Sequence, residues 1–426
     1  MKIRIEGIGN SGEGVGRVEG FTYFVEGALP GEWVEVEVIE KQKRFGRARL
    51  TQILEKSPAR VPPICPHFGV CGGCQVMHLA YPQQLEMKRQ KVIDALQRIG
   101  KIETCVAPCR PSPSPLEYRN KIQLPQKEGV LGLYAKGSHD LVPIAHCYIH
   151  SPTGEAIFQA LKPLMATCPV SIRHVLIKTA VKTDQALVVI VSDQKPTAAL
   201  HGWGEKVREL HPAIRGVIHN HHEVEENVVL GRDFTCLAGQ DTIEEELSGL
   251  KFIVSPASFF QVNPAQAEHL YAEALSQAHL QGNERVLDAF CGVGTLALLF
   301  ARQAQEVVGI ECLGAAIEDA KKNSLLNRIH NVTFQCAYAE DYIRKASPFD
   351  VILLNPPRKG CEASLLSYVK SPRVVYISCD PATLARDLAL LQNNGYRVHS
   401  VQPFDMFPQT AHVECVVWLT RQEKAS

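Results

Sequence analysis

The chain has no net charge: its 426 residues hold 45 Lys and Arg against 45 Asp and Glu. That balance counts against a nucleic-acid partner held by overall charge, although the distribution of charge matters more than its sum. No apolar run approaches the roughly 18 residues of a membrane helix, so no membrane partner is expected. There is no signal-peptide pattern, and fourteen cysteines without one point to a reducing cytoplasm. No internal repeat is evident, which excludes a stacked-repeat architecture. What is present is length and apolar content. The 426 residues suit two or three domains, and 45% hydrophobic residues are ample for packed cores.

Residues 1–55 read as short strands broken by glycine. Positions 34–39 alternate with period two, and Gly7, Gly9, Gly12, Gly14, Gly16 and Gly20 punctuate the rest. The expected fold is a small five-stranded OB-like barrel, a type that binds single-stranded nucleic acid. Residues 41–60 hold Lys41, Lys43, Arg44, Arg47, Arg49, Lys56 and Arg60 against one acid, Glu55, and Arg119 and Lys121 form a second basic group. Such runs are most often solvated faces; here they support RNA binding without proving it. Residues 81–99 read as an amphipathic helix with Leu85, Val92, Leu96 and Ile99 on one side. The proline-rich stretch 108–115 is a connector, and residues 116–248 alternate strands and helices. His219, His221 and His222 lack a flanking cysteine, and no metal is expected there.

Cys65, Cys71 and Cys74 form a C-x5-C-x2-C pattern, and Cys147 follows. Four thiolates suit either a structural zinc or an iron–sulfur cluster, and the spacing does not separate the two. The pair Gly72-Gly73 lets the backbone curl around the bound group.

The C-terminal part carries the chemistry. Residues 286–290 read as a strand, Gly292 and Gly294 as a tight turn and 296–304 as a helix, with Glu311 closing the next strand, 307–310. Gly292, Gly294 and Ala297 also satisfy the dinucleotide fingerprint, so the turn alone admits a nicotinamide cofactor. S-adenosylmethionine is favoured because Asp288 lies inside the strand before the glycines and no later segment offers a hydride-transfer site. The strand 349–354 ends in Asn355-Pro356-Pro357-Arg358. Amino-directed methyltransferases place an aromatic residue after such a motif, so Arg358 argues against amino methylation. Cys379 ends the apolar run 373–378 just before Pro381, and Glu414 lies in a later segment. A thiol and a carboxylate are what methylation of uracil C5 needs. Addition of a thiolate to C6 gives C5 carbanion character, and a base must later remove the C5 proton. A helix N-terminus at Pro381 is expected to favour the thiolate, with Asp380 opposing it.

Residues 250–420 resemble the catalytic domain of the RNA uracil-5-methyltransferase family, and the whole chain resembles its 23S ribosomal RNA members. The strings that carry this are 258–263 (Ser-Phe-Phe-Gln-Val-Asn), 288–295, 355–358, 378–387, and 405–408 with 412–414. The resemblance implies an α/β chain in three parts. Residues 1–55 would be a TRAM domain with the OB-like β-barrel, and 56–248 a central α+β iron–sulfur and RNA-binding domain whose helix 81–99 packs on the catalytic domain. Residues 249–426 would be a Rossmann-like class I methyltransferase domain. It implies Cys379 as nucleophile and Glu414 as base, with Gln261, Phe290, Gly292, Gly294, Thr295, Glu311 and Asn355 holding S-adenosylmethionine. Phe259 and Arg358 would meet the base, and Cys65, Cys71, Cys74 and Cys147 would hold a [4Fe–4S] cluster. Many members carry Asp at the position of Asn355, and Asp or Asn often stands at that of Tyr338. The implied activity is methylation of a specific uridine in 23S ribosomal RNA, in the cytoplasm, by a monomer without an obligatory protein partner. Relatives acting on tRNA share the catalytic motifs but generally lack the barrel and the cluster cysteines, which favours ribosomal RNA. A catalytically inactive RNA-binding iron–sulfur protein is the other alternative, and the presence of both Cys379 and Glu414 counts against it.

Overall fold

Period-two alternation closes the first five strands into a barrel. In the computed structural model, which describes residues 1–223 and 228–422, these are β1 (Lys2–Ile8), β2 (Gly14–Val18), β3 (Phe21–Glu26), β4 (Trp33–Lys41) and β5 (Phe45–Glu55), in the order β1-β2-β3-β5-β4. Ile3, Ile5, Val25, Val34 and Val36 fill the interior from alternate positions. The barrel also changes the meaning of the basic run. Arg47 pairs with Glu40 and Arg49 with Glu37 across β4 and β5, and Arg60 pairs with the buried Glu32. Lys43 and Arg44 stay exposed at the β4–β5 turn.

Helix α1 (Tyr81–Ala95) begins with a proline in its first turn and passes into a π-helical turn, Leu96–Gly100. Val92 and Leu96 are buried, with Leu85 packed beside them. Ile99 is instead 51% exposed. A π-turn advances less than 100° per residue, so the helical spacing that grouped Ile99 with Leu96 fails there.

The central part builds one sheet from β6 (Lys121–Lys127), β7 (Val130–Tyr134), β8 (Leu141–Pro143), β9 (His174–Ala180), β10 (Gln185–Ser192), β11 (Ile214–His221) and β12 (Asp233–Gly239), in the order β12-β11-β10-β9-β6-β7-β8. Helices α2 (Pro152–Leu161) and α3 (Ala198–Glu209) pack into its core. A hairpin, β13 (Ile243–Leu247) and β14 (Leu250–Val254), then leads into α4 (Pro264–Gln277).

The last part alternates β15 (Arg285–Asp288), α5 (Thr295–Ala301), β16 (Glu306–Glu311), α6 (Gly314–Leu326), β17 (Val332–Cys336), α7 (Ala339–Lys345), β18 (Val351–Leu354), α8 (Ala363–Tyr368), β19 (Arg373–Ser378) and α9 (Pro381–Asn393), and ends in β20 (Tyr396–Phe404) and β21 (Glu414–Arg421). Sheet order is β17-β16-β15-β18-β19-β21-β20, with β21 antiparallel to both neighbours. This is the Rossmann-like sheet expected. Helices α4, α5 and α6 bury one face, and α7, α8 and α9 the other. Val92 and Leu96 join that second face, so a helix from near residue 90 helps to cover a sheet that starts near residue 285. Lys88 and Asp405 form a wholly buried ion pair across this contact. Strand order reverses between β15 and β18, and in such sheets ligands bind outside the carboxyl ends at that point.

Candidate active site

Asp288 closes β15, and the chain turns into α5 through two glycines in left-handed conformation, Gly292 at φ 52° and Gly294 at φ 86°. A Cβ on Gly294 would lie 2.9 Å from the Phe334 ring, whereas one on Gly292 would meet nothing within 4 Å. The turn is therefore packed on the sheet side and open on the other, as close approach of a ligand requires. Asp288 is fully buried: Oδ1 accepts a bond from the Phe290 N–H at 3.4 Å, and Oδ2 has no partner. Burial above all lifts its carboxyl to about 7. An orphaned carboxylate oxygen beside an open glycine turn fits the amino group of S-adenosylmethionine. At the end of β16, Glu311 Oε1 accepts from the Leu313 N–H at 3.0 Å, which fixes a carboxylate where ribose hydroxyls would lie. Phe290, Thr295 and Asn355 sit at the same carboxyl edge, after β15, at the start of α5 and after β18. Tyr338 is exposed at the start of α7.

Cys379 and Glu414 come together through strand register. Ser378 pairs with Cys415 across β19 and β21, so one further step sets Cys379 opposite Glu414. Glu414 is only 5% exposed. Burial raises its carboxyl to about 8, and the guanidinium of Arg358 opposes that rise. The Cys379 thiol is pushed up to about 11, first by burial and then by Glu414, with Arg358 pulling it down. The expected help from the helix N-terminus is absent for a local reason. Asp380 caps α9, accepting from the N–H groups of Ala382 and Thr383 at 2.8 and 3.0 Å. Those donors are occupied, and the resting side chain is a thiol.

Phe259 is 69% exposed, as a stacking platform must be. The loop that presents it is gripped from the central sheet. Lys178, buried in β9, donates to the carbonyls of Ser255 and Ser258 at 2.9 and 2.8 Å. Asn120 donates through its side chain to Gln261 O at 3.1 Å and through its N–H to Val262 O at 2.9 Å. Gln261 bonds through its side chain with buried Tyr271, whose hydroxyl feels the charges of both Glu414 and Asp288. Tyr271 thus lies within electrostatic reach of both the glycine-turn acid and the carboxylate of the thiol–carboxylate pair. Lys121 lies opposite Lys178 and is half-buried, so the second basic group is partly structural. Sequence reasoning missed Lys178 and Asn120. The signal available was a lysine inside the mostly apolar strand 174–180.

The four cysteines of the N-terminal pattern lie within electrostatic reach of one another. Burial raises the Cys74 thiol most, and the charges of Cys147, Cys71 and Cys65 add to it. The Gly73 N–H donates to Cys71 Sγ at 3.4 Å, and the N–H groups of Ile149 and His150 reach Cys147. Among the described residues, no group of three or more His, Cys, Asp or Glu side chains could hold a single metal ion. A cubane binds its thiolates at separate irons, and four free thiols, two of them (Cys71 and Cys147) with amide donors, fit that larger group. His219 is buried against Ser192 Oγ at 2.8 Å, and His221 bonds to Asp193 O, which are ordinary structural roles. A cleft of about 690 Å³ lined by Gln185, Arg215 and Cys236 shares no residue with the sites above. Among the described residues, no helix is long and apolar enough to cross a membrane.

Sheet order, glycine turn and acidic strand ends together define a class I methyltransferase domain. The family described as tRNA (Uracil-5-)-methyltransferase matches residues 226–422, and the TRAM domain matches residues 1–51. The chain is 40% identical to an RNA methyltransferase of Clostridium tetani, over 98% of this chain and 95% of that protein. It is also 40% identical to an RNA methyltransferase of Caldanaerobacter subterraneus, over 99% and 98%. Among solved structures it is similar to the Pyrococcus abyssi tRNA (uracil-54, C5)-methyltransferase in complex with S-adenosyl-L-homocysteine, with a TM-score of 0.81, 27% identity and 99% of both chains covered. The chain belongs to the RNA uracil-5-methyltransferase family, enzymes dependent on S-adenosylmethionine, and carries a TRAM domain at its N-terminus.

Proposed function

We propose that this enzyme methylates C5 of a specific uridine in 23S ribosomal RNA, in the cytoplasm, through a covalent adduct between Cys379 and uracil C6. The observation that supports the mechanism is the register that sets Cys379 opposite a buried Glu414, at the same carboxyl edge of the parallel strands as the glycine turn. Phe259 stacks on the extruded uracil, and Arg358 favours the thiolate as the ring arrives. Cys379 gives its thiol proton to solvent, the thiolate adds to C6, and the C5–C6 π pair moves onto C5 and its conjugated carbonyl. S-adenosylmethionine, when bound by Gln261, Phe290, Gly292, Gly294, Thr295, Glu311 and Asn355, supplies the methyl group. Glu414 then takes the C5 proton, the C5–C6 double bond re-forms and the thiolate leaves. The burial that raises its carboxyl makes the ionised Glu414 a stronger base than an exposed glutamate.

The division of labour proposed is TRAM barrel 1–55, central iron–sulfur and RNA-binding part 56–248, and methyltransferase part 249–426. Cys65, Cys71, Cys74 and Cys147 hold a [4Fe–4S] cluster in a structural role. Protein purified without oxygen should be brown with about four irons per chain. A colourless, zinc-loaded protein from iron-replete cells would overturn that assignment.

A tRNA target is the second reading, and one observation favours it. The Pyrococcus abyssi tRNA enzyme covers 99% of this chain, so neither the barrel nor the central part separates ribosomal from transfer RNA enzymes, contrary to the sequence-based expectation. Mapping 5-methyluridine in 23S RNA and tRNA from cells with and without the gene decides. Loss at a 23S position supports the proposal, loss confined to tRNA replaces the substrate, and loss in neither refutes both. Glu311→Ala should weaken S-adenosylmethionine binding by about 1–3 kcal/mol, the effect of removing a hydrogen-bonding partner from a closed site. Calorimetry showing unchanged affinity would remove Glu311 from the cofactor site.

A further inference from the structure

Residues 405–413 carry the chain from β20 to Glu414, and much of what holds them comes from the first 120 residues. Lys88 pairs with Asp405 and also donates to Phe407 O at 3.0 Å, and the Tyr118 hydroxyl donates to Pro408 O at 3.0 Å. Gln409 is gripped most fully. Its N–H donates to Gln84 Oε1 at 3.1 Å, its Oε1 accepts from Gln84 Nε2 at 3.0 Å, and its Nε2 donates to Pro115 O at 3.2 Å. Its carbonyl accepts from the N–H groups of Gln75 and Val76 at 3.0 and 3.1 Å. The residue is 7% exposed and sits at φ 68°, a left-handed conformation that a side chain larger than glycine seldom takes unless its surroundings enforce it. Gln75 and Val76 directly follow Cys74.

We propose that Gln409 is a positioning residue for Glu414, and that through it the conformation of the cysteine segment 65–76 sets the placement of the carboxylate that removes the C5 proton. This rests on Glu414 being that base. The cofactor turn is held by β15 with α5 and the thiol by β19 with the capped start of α9, whereas Glu414, the first residue of β21, pairs with Phe404 and receives its approach from the 405–413 loop. A loosened loop should therefore slow proton removal and elimination while sparing addition and methyl transfer.

The test is single-turnover reaction of the full-length enzyme with ordinary uridine RNA. Gln409→Ala should form the covalent enzyme–RNA species at nearly the wild-type rate. Its breakdown should slow by about 10- to 100-fold, the effect of a displacement near 1 Å at a reacting group, so that the species accumulates on denaturing gels. Gln409→Gly, which accepts the positive φ but lacks the side-chain bonds, and Gln84→Ala should behave alike. A merely structural role would lower formation and breakdown together, and that result, or unchanged breakdown, overturns the proposal. Amide hydrogen exchange of residues 405–413 should quicken in both Gln409→Ala and Cys71→Ser; unchanged exchange in Cys71→Ser overturns the link to the cysteine segment. If Glu414→Gln accumulates the covalent species and Gln409→Ala does not, this proposal alone fails. If neither accumulates it, Glu414 is not the base and this proposal falls with that assignment, while the covalent step is tested separately by the 5-fluorouridine adduct.

Discussion

Cys379→Ala should lower methylation by roughly 10⁴-fold or more, as loss of an enzyme nucleophile does, and should abolish the adduct that wild-type enzyme forms with RNA carrying 5-fluorouridine at the target. The fluorine cannot leave as a proton, so in the intact enzyme the methylated ring stays bound to sulfur. The effect is large because nothing else in the pocket can raise the nucleophilicity of C5. Arg358 supplies charge and Glu414 moves a proton, but neither forms a bond to C6. An adduct persisting after the substitution would transfer the role to another residue.

Glu414→Gln should act on the opposite half of the cycle. Turnover should fall by about 10²- to 10⁴-fold, the usual contribution of a general base, while enzyme accumulates covalently on ordinary RNA. Rapid turnover by this variant would show that a different group takes the proton. The same change should stabilise the fold, with a definite pH dependence. Burial raises this carboxyl from 4.5 to about 8, so the native state binds the proton more tightly than the unfolded chain. Stability from this group is complete below about 4.5 and is lost as pH rises through about 8. Glutamine has no charge to bury. Unfolding free energies of wild type and variant should therefore nearly agree at pH 4.5 and diverge above it, reaching a difference on the order of a few kcal/mol beyond pH 8. A variant that is less stable than wild type at pH 8.5 would show that Glu414 is not strained by its burial.

Much of this site was legible in the sequence because its chemistry is written in short strings. The glycines of the turn, the acid that ends β16 and the thiol that ends β19 each sit at a strand end, where alternating strands and helices in an α/β domain put functional groups. What stayed hidden depends on partners distant in the chain. The basic run of 41–60 looked unopposed because its acids, Glu32, Glu37 and Glu40, precede it and meet it only when the barrel closes. Ile99 left the apolar stripe because a π-turn has no marker in composition. At Cys379, Asp380 was visible beside the thiol, but not that its carboxylate would accept from the first N–H groups of α9. Gln409 reads as one more polar loop residue until its five bonds are traced to segments some 300 positions earlier.

The buried pair of Lys88 and Asp405 is separated by 317 residues, and this bears on how the chain folds as it is made. When helix 81–95 leaves the ribosome, the strands and helices it will cover have not been synthesised. Its apolar stripe and its lysine must wait, exposed, until almost the last β-strand emerges. Contacts of such sequence separation form slowly, and surfaces that wait for them are open to aggregation and to chaperones. A fragment beginning at residue 249 would face the same predicament permanently, with part of one sheet face uncovered and Asp405 facing an apolar interior without its cation. The catalytic part is thus translated after the helix that completes it, which ties production of an active methyltransferase to synthesis of both.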